Sequence, residues 1–571
     1  MTEPAAASPP AVPVLFGLAL AFCVIWFANL DYRRLIKTDE GRYAEIAREM
    51  ASSGDWVTPR SNGYKYLYKP PLQYWATAAA FTVFGENEWT ARLWTALTGL
   101  FGVALVYVTG RKLWDPLTGA IAALVLGASL HWIAMGHVSS LDMGLAFFLS
   151  LSTCAFAIAQ HDGATVRERR NWMILAWAGA ALALMSKGLI GIVLPGGAVA
   201  AYLLWSRDWR LLTRLHLLSG IALFMASCVP WFVLVTLRNA EFFHFFFIHE
   251  HFERFLTKVH GRYQPAWYFI PILIAALVPW TLGLPAAVAA GVRKSATRFQ
   301  PHRFLLVWAI VVFVFFSASS SKLPSYIAPI LPALALLSAR PLLLVSANAL
   351  TWQWAPIGIV GAAIAAYAPL LVRHDRPDLP RELLAGYAPW IAAGGIALTL
   401  AALIGIALVR RGRRFAAIAT MAAGGLGFGQ CLLTGHEALS PVFSAYHIAQ
   451  KIQSELGAMT DERTDATTDP ITDANSGPDI PIFAVDTYDH TLPFYLRRTL
   501  IMVAYKDELA AAIGWEPEKF LPDYDAFERA WAAAPRAFAL MAAREFDTFT
   551  ARKLPMTVVV RDPRRVVVKK P

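Results

Sequence analysis

Carboxylates and cations able to handle an anionic substrate recur in this chain where long apolar runs begin or end. Thr38-Asp39-Glu40-Gly41-Arg42-Tyr43 follows the first apolar run, and Tyr64-Lys65-Tyr66-Leu67-Tyr68-Lys69-Pro70-Pro71 closes the same loop. Asp142 comes just after His137-Val138-Ser139-Ser140-Leu141, and Lys187 sits in the tight turn Met185-Ser186-Lys187-Gly188. Residues 242–255 interleave an aromatic belt with His249, Glu250, His251 and Arg254, and Ser321-Lys322-Leu323-Pro324-Ser325-Tyr326 adds hydroxyls, an amine and a phenol. Lys69, Lys187 and Arg254 together can clamp a phosphate, Arg254 through its planar fork. Asp39, Glu40 and Asp142 supply carboxylates for the chemistry, and Arg42, Tyr43, Lys322 and Tyr326 stand beside them as substrate contacts. Such a set suits transfer of a group from a lipid phosphate, with fixed cations stabilising the charge that grows on the leaving group.

Each group also has a plainer reading. Thr38 or Asp39 is a natural N-cap for a following helix, and Asp142 could cap the next one. Lys187 either snorkels to the interface or binds an anion. Lys322 and Tyr326 could belong to a solvated turn. His249 and His251 could hold a divalent metal such as Zn at the outer-face cavity, which requires an extended backbone at i,i+2 spacing and a third ligand that spacing does not supply. No other cofactor is indicated.

The elements that must position these groups are membrane helices. The chain has 571 residues, is 57% hydrophobic and only 16% charged, and its mean hydropathy is +0.46, too apolar for a soluble protein of this size. Thirteen apolar runs between residues 11 and 433 approach the ~20 residues that cross a bilayer. The net charge of +11 comes from short Arg and Lys clusters between those runs, so it reports membrane orientation and excludes nucleic acid as the partner. Arg111/Lys112, Arg167/Arg169/Arg170, Arg207/Arg210/Arg214, Arg293/Lys294/Arg298/Arg303, Arg340 and Arg410/Arg411/Arg413/Arg414 fall on alternate connections and mark the cytoplasmic face. Arg33, Arg34 and Lys37 argue against this parity, but the later loops agree with one another. All the groups singled out above then lie on the opposite, outer face. The four cysteines lie in or beside apolar runs without metal-ligand spacing and read as packing residues. No nucleotide-binding fingerprint occurs, which leaves an ATP-driven pump unsupported.

The transmembrane catalytic unit spans residues 1–435, with an outer loop at 31–91. In that loop Tyr43, Ile46, Ala47 and Met50 recur at helical spacing opposite Glu45, Arg48 and Glu49, predicting a helix along the membrane surface. The apolar stretch 72–84 is too short to span and predicts a second interfacial or re-entrant helix. Residues 436–571 predict a small outer α/β domain with a polar insertion at 454–480, strands near 480–485, 499–504 and 557–560, and helices near 507–513 and 527–533.

Three motifs, Thr38 to Tyr43, Tyr68-Lys69-Pro70-Pro71-Leu72-Gln73-Tyr74-Trp75 and Glu250-His251-Phe252-Glu253-Arg254-Phe255, resemble those of bacterial aminoarabinose transferases. These are polyprenyl-phosphate-sugar glycosyltransferases of the GT-C fold, related to protein O-mannosyltransferases. Ser321 to Tyr326 and Tyr488-Asp489-His490-Thr491-Leu492-Pro493-Phe494-Tyr495-Leu496 extend the resemblance into the last third. It implies a multi-pass enzyme of the bacterial inner membrane with a periplasmic site. The implied donor is 4-amino-4-deoxy-L-arabinose on undecaprenyl phosphate, and the implied acceptor is a lipid A phosphate, whose neutralisation protects against polymyxin and cationic peptides. On the matching positions, Asp39 and Asp142 become the two acids, and Lys69 and Arg254 the donor-phosphate ligands. Tyr68 departs from the pattern, which has an acid before Lys-Pro in many relatives. The enzyme is expected to work as a monomer among membrane lipids. The alternatives are sugar transfer to protein or another glycan and, without enzymatic activity, a lipid flippase or transporter.

Overall fold

The computed structural model describes residues 12–253, 264–294, 297–373, 379–464 and 480–571. All thirteen apolar runs contain helix. Among the described residues eight helices are long and apolar enough to cross a membrane alone, and the number rises to ten if each of two bent pairs is one span. The bent pairs are Pro116–Gly127 with Leu130–His137, at 65°, and Ala266–Ala276 with Thr281–Val292, at 114°. Pro279 lies in the second break, where it has no N–H to continue a helical ladder. Val12–Phe27 and Ile190–Ser206 are apolar but shorter.

The basic loops meet one another, as their shared parity requires. Lys112 pairs with Glu168 at 2.9 Å, the Arg298 amide donates to Asp162 at 2.7 Å and the Arg298 side chain pairs with Asp208. The groups singled out for chemistry gather at the other end of the bundle.

There the first loop forms a helix at Asp39–Ser53, stopped by Gly54 in the left-handed region at φ 71°. Thr38 occupies the cap position but makes no side-chain capping bond, so the capping reading of this motif has no support in the geometry. Tyr43, Ile46, Ala47 and Met50 pack with Tyr64, Tyr66, Tyr74 and Phe81, as the periodicity predicts. The opposite face differs from the expected surface helix: Glu45 and Arg48 are buried there, paired at 2.6 Å. The C-terminal domain covers that face. The approach is closest at Gly41, where a Cβ would meet Thr491 and the His490 carbonyl at 2.6–2.7 Å.

A hairpin follows, β1 (Arg60–Ser61) and β2 (Tyr64–Lys65), turned by Asn62 and Gly63 with φ of 55° and 77°, the geometry that favours Asn-Gly in two-residue turns. The Asn62 side chain exchanges two hydrogen bonds with the Leu500 backbone, at 2.6 and 2.9 Å. Leu72–Phe84 is a 13-residue helix, spanning ~20 Å at 1.5 Å per residue and so too short for the bilayer core, as expected.

The C-terminal domain carries a six-stranded sheet of β3 (Ile482–Val485), β4 (Ile501–Val503), β5 (Phe520–Leu521), β6 (Phe538–Met541), β7 (Thr557–Arg561) and β8 (Val566–Lys569), ordered β5-β4-β3-β6-β8-β7. The first four run parallel, and β8 and β7 add antiparallel. Tyr446–Thr464 is a helix whose Ile448, Ala449 and Ile452 pack on Ile482 and Phe538 of the sheet. Residues 454–464 of the expected polar insertion are therefore helical; residues 465–479 lie outside the described residues.

Candidate functional site

Asp39 begins the first-loop helix with a side chain 46% exposed, and Arg42 one turn later reaches back to it at 3.4 Å. Arg42 is itself buried. Its Nε pairs with Glu508 of the C-terminal domain at 2.8 Å, and its Nη1 donates to the Tyr66 hydroxyl at 3.2 Å. His490 Nε2 lies 2.5 Å from Glu508, and the Tyr68 hydroxyl donates to the Glu508 carbonyl. One guanidinium thus stands between an exposed carboxylate of the membrane unit and a carboxylate of the sheet domain. The Tyr43 ring packs against Arg42 and Tyr74. Burial pushes its phenol well above the usual range, so it remains neutral.

Lys69 leaves the end of the same loop and pairs with Glu250 at 2.7 Å, the Glu250 side chain being fully buried. Asp142, in the first turn of Leu141–Gln160, pairs with Lys187 and accepts from the Ser325 hydroxyl at 2.6 Å. It therefore acts through side chains of two other helices, whereas Ser140, at the cap position, makes no side-chain capping bond. Lys187 also lies 4.4 Å from the Tyr326 ring centroid, a cation–π contact. Asp142 feels the charge of Lys69 as well as that of Lys187, which makes the two ion pairs neighbours. The structure thus joins Asp142, Lys187, Ser325, Tyr326, Lys69 and Glu250 from five separate stretches of chain.

Three expectations need correction. Glu40 does not join this group: its carboxylate is held by Arg92 through two contacts of 2.8 Å and by the amides of Ser139 and Ile36 at 2.9 Å. Burial alone would raise its pKa, but the Arg92 charge and hydrogen bonds, with Arg33 and Ser139, hold it down at about 2. A carboxylate so saturated fastens the first loop to Glu88–Leu113 and cannot turn to a substrate. Lys322 likewise spends its ammonium on the carbonyls of Ser319 and Gln264, at 2.5 and 2.8 Å, and is 4% exposed. The metal reading requires an extended backbone, yet His244–Glu253 is wound as a π-helix. His249 stacks on Phe245 and lies 3.9 Å from Glu250, and no group of three His, Cys, Asp or Glu side chains among the described residues could hold a metal. Arg254 and the His251 side chain lie outside the described residues.

Residues 470–570 match the family model for the aminoarabinose transferase C-terminal domain, and residues 12–246 that for dolichyl-phosphate-mannose-protein mannosyltransferase. The chain is 33% identical to an undecaprenyl phosphate-α-4-amino-4-deoxy-L-arabinose arabinosyl transferase of Pseudomonas aeruginosa, over 66% of this chain and 70% of that protein. The chain belongs to this family of arabinosyl transferases. A relative from Erwinia tasmaniensis is 30% identical over 62% of this chain and 64% of its own length. The crystal structure of ArnT from Cupriavidus metallidurans bound to undecaprenyl phosphate matches with a TM-score of 0.89 and 38% identity, covering 98% of both chains. Its apo form matches at 0.87. The architecture is accordingly that of a GT-C membrane glycosyltransferase with a C-terminal sheet domain.

In this chain the position before Lys69 holds the Tyr68 phenol, whose ring meets Phe245 edge-on at 4.8 Å. The nearby acids are instead Glu250 and Glu508. Glu250 lies in the motif 250–255 with no role that its spacing assigns, and Glu508 is hidden in sequence because Lys506-Asp507-Glu508-Leu509 looks like any solvated helix start. His490 lies in the motif 488–496. Only the tertiary contact with Arg42 separates Glu508 from its acidic neighbours.

Proposed function

We propose that the protein transfers 4-amino-4-deoxy-L-arabinose from undecaprenyl phosphate to a phosphate of lipid A at the periplasmic face of the bacterial inner membrane. The observation that carries this reading is the neighbouring pair of ion pairs, Lys69–Glu250 and Asp142–Lys187, set at the end of the bundle away from the basic loops. It supports a polyprenyl-phosphate site in a family whose named members use that donor. In the proposed reaction an oxygen of the acceptor phosphate forms a bond to the anomeric carbon in line with the breaking bond to the lipid phosphate, giving inversion. Lys69 and Lys187, with Arg254, hold the negative charge that accumulates on the leaving phosphate. An acceptor phosphate is already ionised, so Asp39 is not required as a strong base. Paired with Arg42, it orients the acceptor or holds the ammonium of the sugar. In this reading the protein acts as a monomer.

Mass spectrometry of lipid A from cells with and without the protein tests the reading: added aminoarabinose and greater polymyxin tolerance are expected, and unmodified lipid A from a strain that makes the donor rejects it. With purified donor and acceptor, Asp39→Asn is expected to lower turnover at least a hundredfold, and near-normal turnover would demote Asp39 from the site.

The match of residues 12–246 to a protein mannosyltransferase model favours one second reading, transfer to a protein hydroxyl. Asp39 must then accept a proton in the transition state. A glycosylated protein beside unmodified lipid A, found by mass spectrometry of both fractions, would decide for this reading.

A further inference from the structure

A cleft of about 690 Å³ opens between the far end of the first-loop helix and the C-terminal domain, apart from the groups described above. Four arginines line it: Arg48, Arg60, Arg497 and Arg498. Arg48 is matched by Glu45, Arg60 by Glu516 at 3.0 Å, and Arg497 by Glu86 at 3.1 Å. Arg498 has no carboxylate partner among the described residues. The Arg497–Glu86 pair lies at the surface, with the Arg497 side chain 65% exposed, so it contributes little and exchanges readily for another anion.

Arg497 ends the short helix Leu492–Leu496 in the left-handed region at φ 55°, a position that glycine fills most easily. The turn brings both Arg497 and Arg498 to the lining of the cleft. Ser52 and Thr499 add exposed hydroxyls to the same lining. Paired guanidiniums recognise a phosphate by its oxygens, and the hydroxyls suit a polyhydroxylated body. Burial, then the Glu45 charge, raises the Glu49 carboxyl to about 8, so this acid of the lining is neutral at neutral pH and does not repel an anion.

We propose that this cleft binds a phosphorylated saccharide, its phosphate between Arg497 and Arg498 and its hydroxyls on Ser52 and Thr499, as a remote subsite for the headgroup of the glycolipid acceptor. The acceptor assignment rests on the function proposed above. Asp39 and Ser52 lie at opposite ends of one helix, roughly 20 Å apart at 1.5 Å per residue. Contacts so far from the reacting bond hold ground state and transition state alike, so they govern KM rather than kcat.

The full-length protein in nanodiscs, titrated with glucosamine 1-phosphate, glucosamine and inorganic phosphate, tests the binding. Glucosamine 1-phosphate is expected to bind more tightly than either fragment, and Arg498→Ala to weaken it at least tenfold without changing undecaprenyl phosphate binding. Equal affinity in Arg498→Ala and the parent protein, equal binding of inorganic phosphate, or displacement of the probe by undecaprenyl phosphate each overturns the site. Arg498→Gln with an unchanged melting temperature guards against misfolding. In the transfer assay, Arg498→Ala is expected to raise the KM for lipid A about tenfold with kcat within about twofold. An unchanged KM beside weakened probe binding would assign the cleft to a soluble sugar phosphate and overturn its acceptor role. If the protein modifies no lipid A at all, the binding titration still decides the site.

Discussion

At the scale of single residues, burial separates chemistry from architecture. Asp39 and Glu40 are adjacent in sequence, yet Asp39 is half exposed beside Arg42 while Glu40 is 1% exposed within the Arg92 contacts. Breaking a buried pair by removing one partner leaves an uncompensated charge, a loss of about 3–5 kcal/mol. Arg92→Leu should accordingly lower the melting temperature of the purified protein severely, whereas Asp39→Asn should leave it within a few degrees. Glu508 belongs to the other class, since it acts on Asp39 only through Arg42. Glu508→Gln is expected to cut kcat roughly tenfold, with restoration by Glu508→Asp, and with donor affinity unchanged; a purely structural role would lower the melting temperature and leave kcat per folded molecule intact. Glu49 gives a pH signature. Its pKa in the fold, about 8, lies above the ordinary carboxylate value because of burial and then Glu45. The folded state therefore holds its proton more tightly than the unfolded chain. The stabilisation is complete below the unfolded value and is lost as pH rises towards and through 8. The melting temperature should fall between pH 5 and pH 8.5, and Glu49→Gln should reduce that fall.

At the scale of elements, the decisive contact is the first-loop helix against the sheet domain. The 3.6-residue period correctly located the helix and its buried stripe of Tyr43, Ile46, Ala47 and Met50. It could not show that Glu45 and Arg48 are buried too, because a polar face sheltered by a distant domain has the same pattern as one facing water. The same limit applies to the sheet: β3, β4 and β7 are legible as apolar β-like runs, while β5, β6 and β8 are not, and their pairing across the domain is not encoded locally. Gly41 marks where the two bodies touch. Gly41→Leu would force side-chain atoms into the backbone of His490 and Thr491. The expected result is loss of the Arg42–Glu508 contact and of activity, with the helical content of the bundle preserved by circular dichroism.

At the scale of the whole molecule, the domains interlock through contacts remote in sequence. Asn62 binds the Leu500 backbone, Arg60 pairs with Glu516, Arg42 with Glu508, and Tyr495 donates to Glu88 and accepts from the Leu35 amide. Asp489 and Arg565, both buried, pair with each other, and Arg565 donates to the Ser444 carbonyl where the domain joins the bundle. Hydropathy marks the apolar helices and charge sorts their connections into two sets, because both are properties of local composition. The site was legible only as a set of suspects on one face, since ion pairs such as Asp142–Lys187 and Arg42–Glu508 are products of packing. A C-terminal domain that merely hung from the bundle would be dispensable for folding of the rest. Here its removal would strip Tyr495 from Leu35, Glu508 from Arg42 and the cover from Glu45 and Arg48, leaving the first loop with buried charges turned to water and apolar side chains unsheltered. A chain ending at residue 445 should therefore run as aggregate or melt far below the full protein in size-exclusion and thermal unfolding experiments. Donor binding should be lost with it, because Lys69 is carried by the same loop that the domain holds in place.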